Sequence, residues 1–203
     1  MIFIIVTTSL IQNDFNLREI QYTMGITKLL KSIDTTMNIK VVIVENNGVR
    51  STFLNNFLCD ILYTENNKIV TRNKGIKELK DIFDCINYFK IDDNDFIVKI
   101  TGRYILEDNS KFIELINNYS NYNTDCIIRF GCFSGELENR KETCVTGLIG
   151  MKCKYVKQIK MPTEEYECVE WNWAKVAASL DNIIELDTLG LNICPGGNQY
   201  RFI

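Results

Sequence analysis

Three short runs in the first half of the chain are apolar almost without a polar break: Ile2–Val6 (IFIIV), Lys40–Val44 (KVVIV) and Phe96–Ile100 (FIVKI). A strand with one wet face alternates apolar and polar residues, whereas a continuous β-branched run belongs to a strand buried on both faces. Something must then cover both faces of the sheet, and the intervening segments supply it. Leu17, Ile20, Met24 and Ile33 recur at near-helical spacing behind Asp14, a good N-cap, and predict a helix over 14–34. Ile76, Leu79, Phe83 and Ile86 mark a second helix, with Asn73 as its cap. A short helix near 51–58 and a strand over 61–64 complete the alternation. The expectation is an α/β, Rossmann-like fold: a mostly parallel central sheet, flanked by helices, from strands near 2–7, 40–45, 60–64 and 96–100.

The second half is mixed. Phe112, Leu115, Ile116 and Tyr119 mark a helix, Cys126–Phe130 and Val145–Gly150 two strands, and Tyr166, Val169, Trp173, Val176 and Leu180 a strong helical stripe. A last strand near Ile183–Leu186 precedes a Gly-rich tail whose Gly196-Gly197 could hinge a lid carrying Arg201. No linker or repeat divides the 203 residues, so one domain is expected, ligand binding falling to 1–106 and a second substrate to 107–203.

Composition removes several chemistries. The chain has no His, which excludes Ser-His and Cys-His nucleophilic pairs and the commonest zinc ligand. None of its 8 Cys forms a C-x-x-C pair, and a net charge of -3 offers no field for nucleic acid. No apolar run reaches the roughly 18 residues of a membrane span, and Met1–Val6 is only a strand long with no basic leader. A cytoplasmic protein with reduced thiols is expected.

In open α/β sheets ligands bind beyond the carboxyl ends of the strands. The residues there are Thr7 and Thr8, then Glu45 and Asn46, then Arg72, Asn73, Lys74 and Gly75, then Thr101, Gly102, Arg103 and Tyr104. Two of these segments, Arg72–Glu78 (RNKGIKE) and Phe96–Tyr104 (FIVKITGRY), together with the first strand and the Glu45-Asn46-Asn47-Gly48 turn, resemble the GT-A fold glycosyltransferases. Within them they are similar to a loose set of small viral and bacterial enzymes with an NKG…E helix start and a K-I-T-G-R-Y strand end. The resemblance covers roughly the first 106 residues. It implies a nucleotide-sugar donor, UDP- or GDP-linked, a glycan or glycoconjugate acceptor, and base and ribose near Thr8, Glu45, Asn46 and Asn73.

The family usually ends its fourth strand with an Asp-x-Asp motif that holds a divalent metal on the sugar diphosphate. Thr101-Gly102-Arg103 stands there instead, which leaves dependence on Mn or Mg open and gives no metal ligand. Arg103, helped by Lys99, Lys74 or Arg72, can compensate the leaving diphosphate, the planar guanidinium fork being suited to it. The acidic run Asp92-Asp93-Asn94-Asp95 falls at the opposite, amino end of its strand. Inverting members use a back-half carboxylate as base. On the helical wheel of 163–171, Glu165 and Glu170 flank the buried stripe, with Glu170 the first choice and Trp171 facing outward. Two alternatives stay open: a sugar nucleotidyltransferase, against which the first loop's lack of Gly and Arg counts, and a non-catalytic nucleotide-sugar-binding module.

Overall fold

The structure, a computed structural model, describes residues 1–11, 15–122, 124–132, 140–163, 165–194 and 200–203. Asp14 and the Gly196-Gly197 hinge lie outside these. Its centre is a seven-stranded sheet of β1 (Ile2–Thr8), β2 (Ile39–Glu45), β3 (Asp60–Tyr63), β4 (Phe96–Thr101), β6 (Cys126–Ile128), β7 (Leu148–Lys152) and β8 (Ile183–Glu185), in the order β3-β2-β1-β4-β7-β6-β8. Every neighbouring pair is parallel except those of β7, which runs antiparallel to β4 and to β6. The expected mostly parallel α/β class is the one observed. A three-stranded sheet joins β5 (Ile105–Leu106), β9 (Leu191–Ile193) and β10 (Arg201–Phe202). Strands this short carry no period, which is why the sequence reading passed over them.

The alternation of side chains along β1 divides the core in two. Ile2, Ile4 and Val6 join a cluster with Tyr22, Ile26 and Leu29 of helix α1 (Phe15–Ser32) and with Phe112 and Ile116 of α3 (Lys111–Asn117). Phe3 and Ile5 point the other way. They pack with Leu79, Ile82 and Ile86 of α2 (Lys74–Phe89) and with Val169, Trp173 and Ala177 of α5 (Val169–Ala177). A single turn of helix, α4 (Cys153–Val156), adds Val156 to this second cluster. All seven residues of β1 are buried, as its unbroken apolar run requires.

Three expectations need correction. Helix α1 forms where predicted but turns its other face inward: Leu17, Ile20 and Met24 are 39%, 58% and 50% exposed, while Tyr22, Ile26 and Leu29 are buried. The reason is Gly25. A Cβ there would lie 2.3 Å from the Gly102 carbonyl oxygen and 2.7 Å from that of Tyr104, so only a glycine lets the helix settle onto the turn after β4. The α5 stripe begins at Val169, leaving Tyr166 before the helix and 78% exposed. The strand expected at 145–150 runs from Leu148 to Lys152, because pairing with Ile100–Phe96 of β4 sets its register.

Candidate functional site

The parallel register brings strand ends level: Thr8 lies opposite Glu45, and Thr7 opposite Thr101. Because β7 runs the other way, its preceding residues Thr146 and Gly147 arrive at this same edge, the Gly147 carbonyl accepting from Thr101 N at 3.0 Å. On the far side α2 starts at Lys74, capped by Asn73, whose side chain accepts from Gly75 N. Here α5 comes close, since a Cβ on Gly75 would stand 2.7 Å from Val169 Cγ1. These elements enclose a polar cleft of about 570 Å³.

Of the residues expected to bind ligand or react, Thr7, Thr8, Asn46, Arg72, Lys74, Gly75, Lys99, Thr101, Arg103, Tyr104 and Glu170 line the cleft. Glu45, Asn73, Gly102 and Glu165 do not, and each has a local role. Glu45 is fully buried and accepts from the Thr8 hydroxyl (2.8 Å), Leu10 N (3.2 Å), Asn47 Nδ2 (2.6 Å) and Arg50 Nη2 (3.0 Å), so it braces the loop after β1 from behind. Asn73 Nδ2 also donates to the Glu167 carbonyl at 2.8 Å, which joins the α2 start to the segment before α5. Gly102 sits where a Cβ would meet Val6 Cγ1 at 2.8 Å. Glu165 is exposed and accepts from Arg72 N at 3.4 Å.

Lys99 is the unexpected member. It is 1% exposed, and its three N–H bonds go to Thr146 O (2.6 Å), Glu78 Oε1 (2.8 Å) and Thr101 Oγ1 (3.0 Å). Far from reaching outward, it pins three elements beneath the cleft floor. Glu78 lies in the RNKGIKE segment, and its signal in the sequence is its place one turn into α2, on the side of Lys74. Asp81 was missed. It is 1% exposed and accepts from Thr64 Oγ1 (2.6 Å), Asn66 Nδ2 (2.8 Å) and Asn46 Nδ2 (2.9 Å). Burial raises its carboxyl to about 6 against these three donors.

Charge is divided along the cleft. Arg18, Arg72, Lys74, Lys77 and Arg103 supply cations around it. The Arg103 guanidinium carbon lies 5.7 Å from the Tyr104 ring centre. At the β7 end, Glu170 Oε1 accepts from Thr146 Oγ1 at 3.4 Å. Trp171 beside it is half-exposed.

These residues do not fit a divalent cation. Arg103 follows β4 where a carboxylate pair would have to stand, the Glu78 charge is already paired with that of Lys99, and Asp81 is buried among three uncharged donors. No three Cys, Asp or Glu side chains converge among the described residues. The acidic run lies at the other end of the sheet, where Asp95 takes the Met1 ammonium at 2.8 Å and Asp93 takes Lys157 Nζ at 2.6 Å.

No protein-family model matches the chain, and neither does any curated protein. Solved structures do. The mannosyltransferase PcManGT from Pyrobaculum calidifontis, solved with GDP-Man and Mn2+, aligns over 91% of this chain and 54% of its own, at 8% identity and a TM-score of 0.57. S. aureus TarS (1-349) aligns over 92% and 58%, at 13% identity and 0.54. A Bacillus anthracis protein assigned as a glucose-1-phosphate thymidylyltransferase, solved with a sucrose, aligns over 95% and 89%, at 11% identity and 0.57. This chain therefore spans little more than half the length of the first two. At such identities the likeness is one of fold, and the fold is that of the GT-A-like nucleotide-sugar transferases. All eight cysteines carry free thiols, and no helix among the described residues is long and apolar enough to cross a membrane.

Proposed function

We propose that this chain is a glycosyltransferase that moves a sugar from a nucleoside-diphosphate sugar, UDP- or GDP-linked, to a hydroxyl of a glycan or glycoconjugate, with inversion. The observation that carries the reading is the cleft itself, lined by the cations Arg72, Lys74 and Arg103 and by the Glu170 carboxylate where α5 meets the start of β7. The base and ribose take the β2–β3 end, where Asn46 and Asn67 offer polar groups, and the reacting carbon takes the Glu170 end. The whole chain acts as one domain, residues 1–106 holding the donor and 107–203 the acceptor. Its free thiols suit a reducing compartment such as the cytoplasm.

The chemistry follows from these placements. The acceptor oxygen attacks the anomeric carbon from the side opposite the diphosphate. Its proton passes to Glu170, oriented by the Thr146 hydroxyl. The bond from carbon to diphosphate oxygen breaks, and the electron pair leaves with the diphosphate. Arg103, with Lys74 and Arg72, offsets the charge that grows there. A thermal-shift panel of UDP, GDP, CMP and TDP sugars tests the reading first, followed by turnover with whichever stabilises the fold. A flat panel would sink it, and binding without turnover on any acceptor would leave only a binding module.

A second reading, a sugar nucleotidyltransferase, draws on the near-equal length of the aligned thymidylyltransferase-like chain. The loop Thr8–Ile11 lacks the Gly and Arg such enzymes use on a nucleoside triphosphate. Pyrophosphate release from a triphosphate and a sugar 1-phosphate would establish this second reading.

A further inference from the structure

Glu78 has no task in the transfer just described, yet it is firmly placed in the cleft floor. Its Oε1 receives the Thr7 hydroxyl at 2.6 Å, the Lys99 ammonium at 2.8 Å and, more distantly, the Thr101 hydroxyl at 3.5 Å. All the recorded contacts of this carboxylate fall on that one oxygen. Glu78 also lines the cleft, and its side chain keeps 29% of its exposure while that of Lys99 keeps 2%. The buried oxygen is thus anchored and Oε2 is left to the cleft side.

The pair has a defined chemistry. Lys99 spends all three N–H bonds on protein acceptors, so its charge serves to hold Glu78 oriented. A carboxylate oxygen accepts hydrogen bonds and donates none, and it repels phosphate. Its match is a hydroxyl. Position decides which one. The Lys99 link continues to the Thr146 carbonyl, and the Thr146 hydroxyl continues to Glu170. Through Lys99, Glu78 is therefore tied to the β4–β7 side of the cleft, while Asp81, one turn further along α2, is taken up by Thr64, Asn66 and Asn46.

We infer that Glu78, held by Lys99 and Thr7, accepts hydrogen bonds from hydroxyls of the donor's sugar and so selects which sugar is taken. The inference rests on the donor reading above. Lys99 and Thr7 act as positioning residues.

The test compares wild type with Glu78→Gln and Glu78→Asp, titrated with UDP and UDP-glucose and with GDP and GDP-mannose. Binding of the free nucleoside diphosphate should be the same in all three proteins, which also reports that the variants fold. The advantage of the nucleotide sugar over its nucleoside diphosphate should fall about tenfold in both variants, the size expected for one hydrogen bond to a charged group. An unchanged advantage, with UDP or GDP still bound, overturns the inference. An equal loss for nucleoside diphosphate and nucleotide sugar overturns it too, because Glu78 would then serve the nucleotide. A wild type that binds neither UDP nor GDP overturns the donor reading itself.

Discussion

Lys99 and Glu78 form an ion pair at 2.8 Å between strand β4 and helix α2, the ammonium buried under the cleft and the carboxylate at its floor. Neither residue is near the other in sequence, and the buried Lys99 charge would not be tolerated at its depth alone. The pair ties β4 to the helix that carries the RNKGIKE start. It also fixes Thr146, because the third N–H of Lys99 goes to that carbonyl.

Removing one member of such a pair leaves the other without compensation. Lys99→Met should therefore destabilise the fold by about 3 kcal/mol, the lower end for broken buried pairs because Glu78 is not fully buried. The double variant Lys99→Met/Glu78→Gln should regain most of that loss. Urea unfolding of the four proteins measures it. A single Lys99→Met variant as stable as wild type would show the pair to be ornamental.

Arg103 should matter to the transition state more than to folding. It lines the cleft after β4, with only the neighbouring glycine between it and Thr101. Arg103→Ala should lower kcat/KM by a factor equivalent to a few kcal/mol, by analogy with losing a preorganised donor. Arg103→Lys should recover part of this, since it keeps the charge and loses the fork. Turnover in EDTA and in added manganese completes the comparison. Activity that vanishes in EDTA, returns with manganese and survives Arg103→Ala would assign charge compensation to a metal.

Gly75→Ala tests how α5 is placed. The new Cβ would stand 2.7 Å from Val169 Cγ1 and 2.9 Å from Val169 Cβ, too close for either helix to keep its position. Overpacking of this kind costs about 1–3 kcal/mol. Glu170 follows Val169 directly, so kcat should fall more than donor affinity. Val169→Ala in the same protein removes Cγ1 but keeps the Cβ at 2.9 Å, so it should restore part of both, and a double variant no better than Gly75→Ala would mean that the Cγ1 contact is not the cause.

Asp81 gives a pH dependence with a defined sign. Burial raises its carboxyl from 3.8 to about 6, so the folded state holds the proton more tightly than the unfolded chain. Stability from this group is complete below pH 4 and is lost as pH rises through 6, by up to about 3 kcal/mol. Asp81→Asn removes the titration. The stability difference between variant and wild type should change between pH 4 and 6 and be level above 7. A difference flat across the whole range would mean that Thr64, Asn66 and Asn46 hold the carboxyl at its ordinary value.

Much of the framework was legible without coordinates. The runs IFIIV, KVVIV and FIVKI named three adjacent strands, because a residue flanked by apolar neighbours on both sides of the chain must have both sheet faces covered. Asn73 could be placed as a helix cap because its short side chain reaches the second amide after it, and it does so at 3.0 Å. The edge at which the strands end and the cleft opens followed from strand direction alone. In these cases the deciding interaction is local or follows from a repeat within one segment, so the sequence by itself determined them.

What the tertiary structure decided depends on partners far apart in the chain. The Leu17, Ile20 and Met24 stripe was a sound helical pattern, yet α1 faces the other way because Gly25 meets the carbonyls of Gly102 and Tyr104, some eighty residues on. Lys99 sits in an apolar run, and nothing in that run says whether its charge reaches solvent or turns inward. The answer comes from Thr146, which arrives only because β7 runs antiparallel to β4. Glu78 and Asp81 share this origin. A carboxylate on a helix is ordinary until the fold closes over it, and its orientation is then set by whichever donors the other strands deliver.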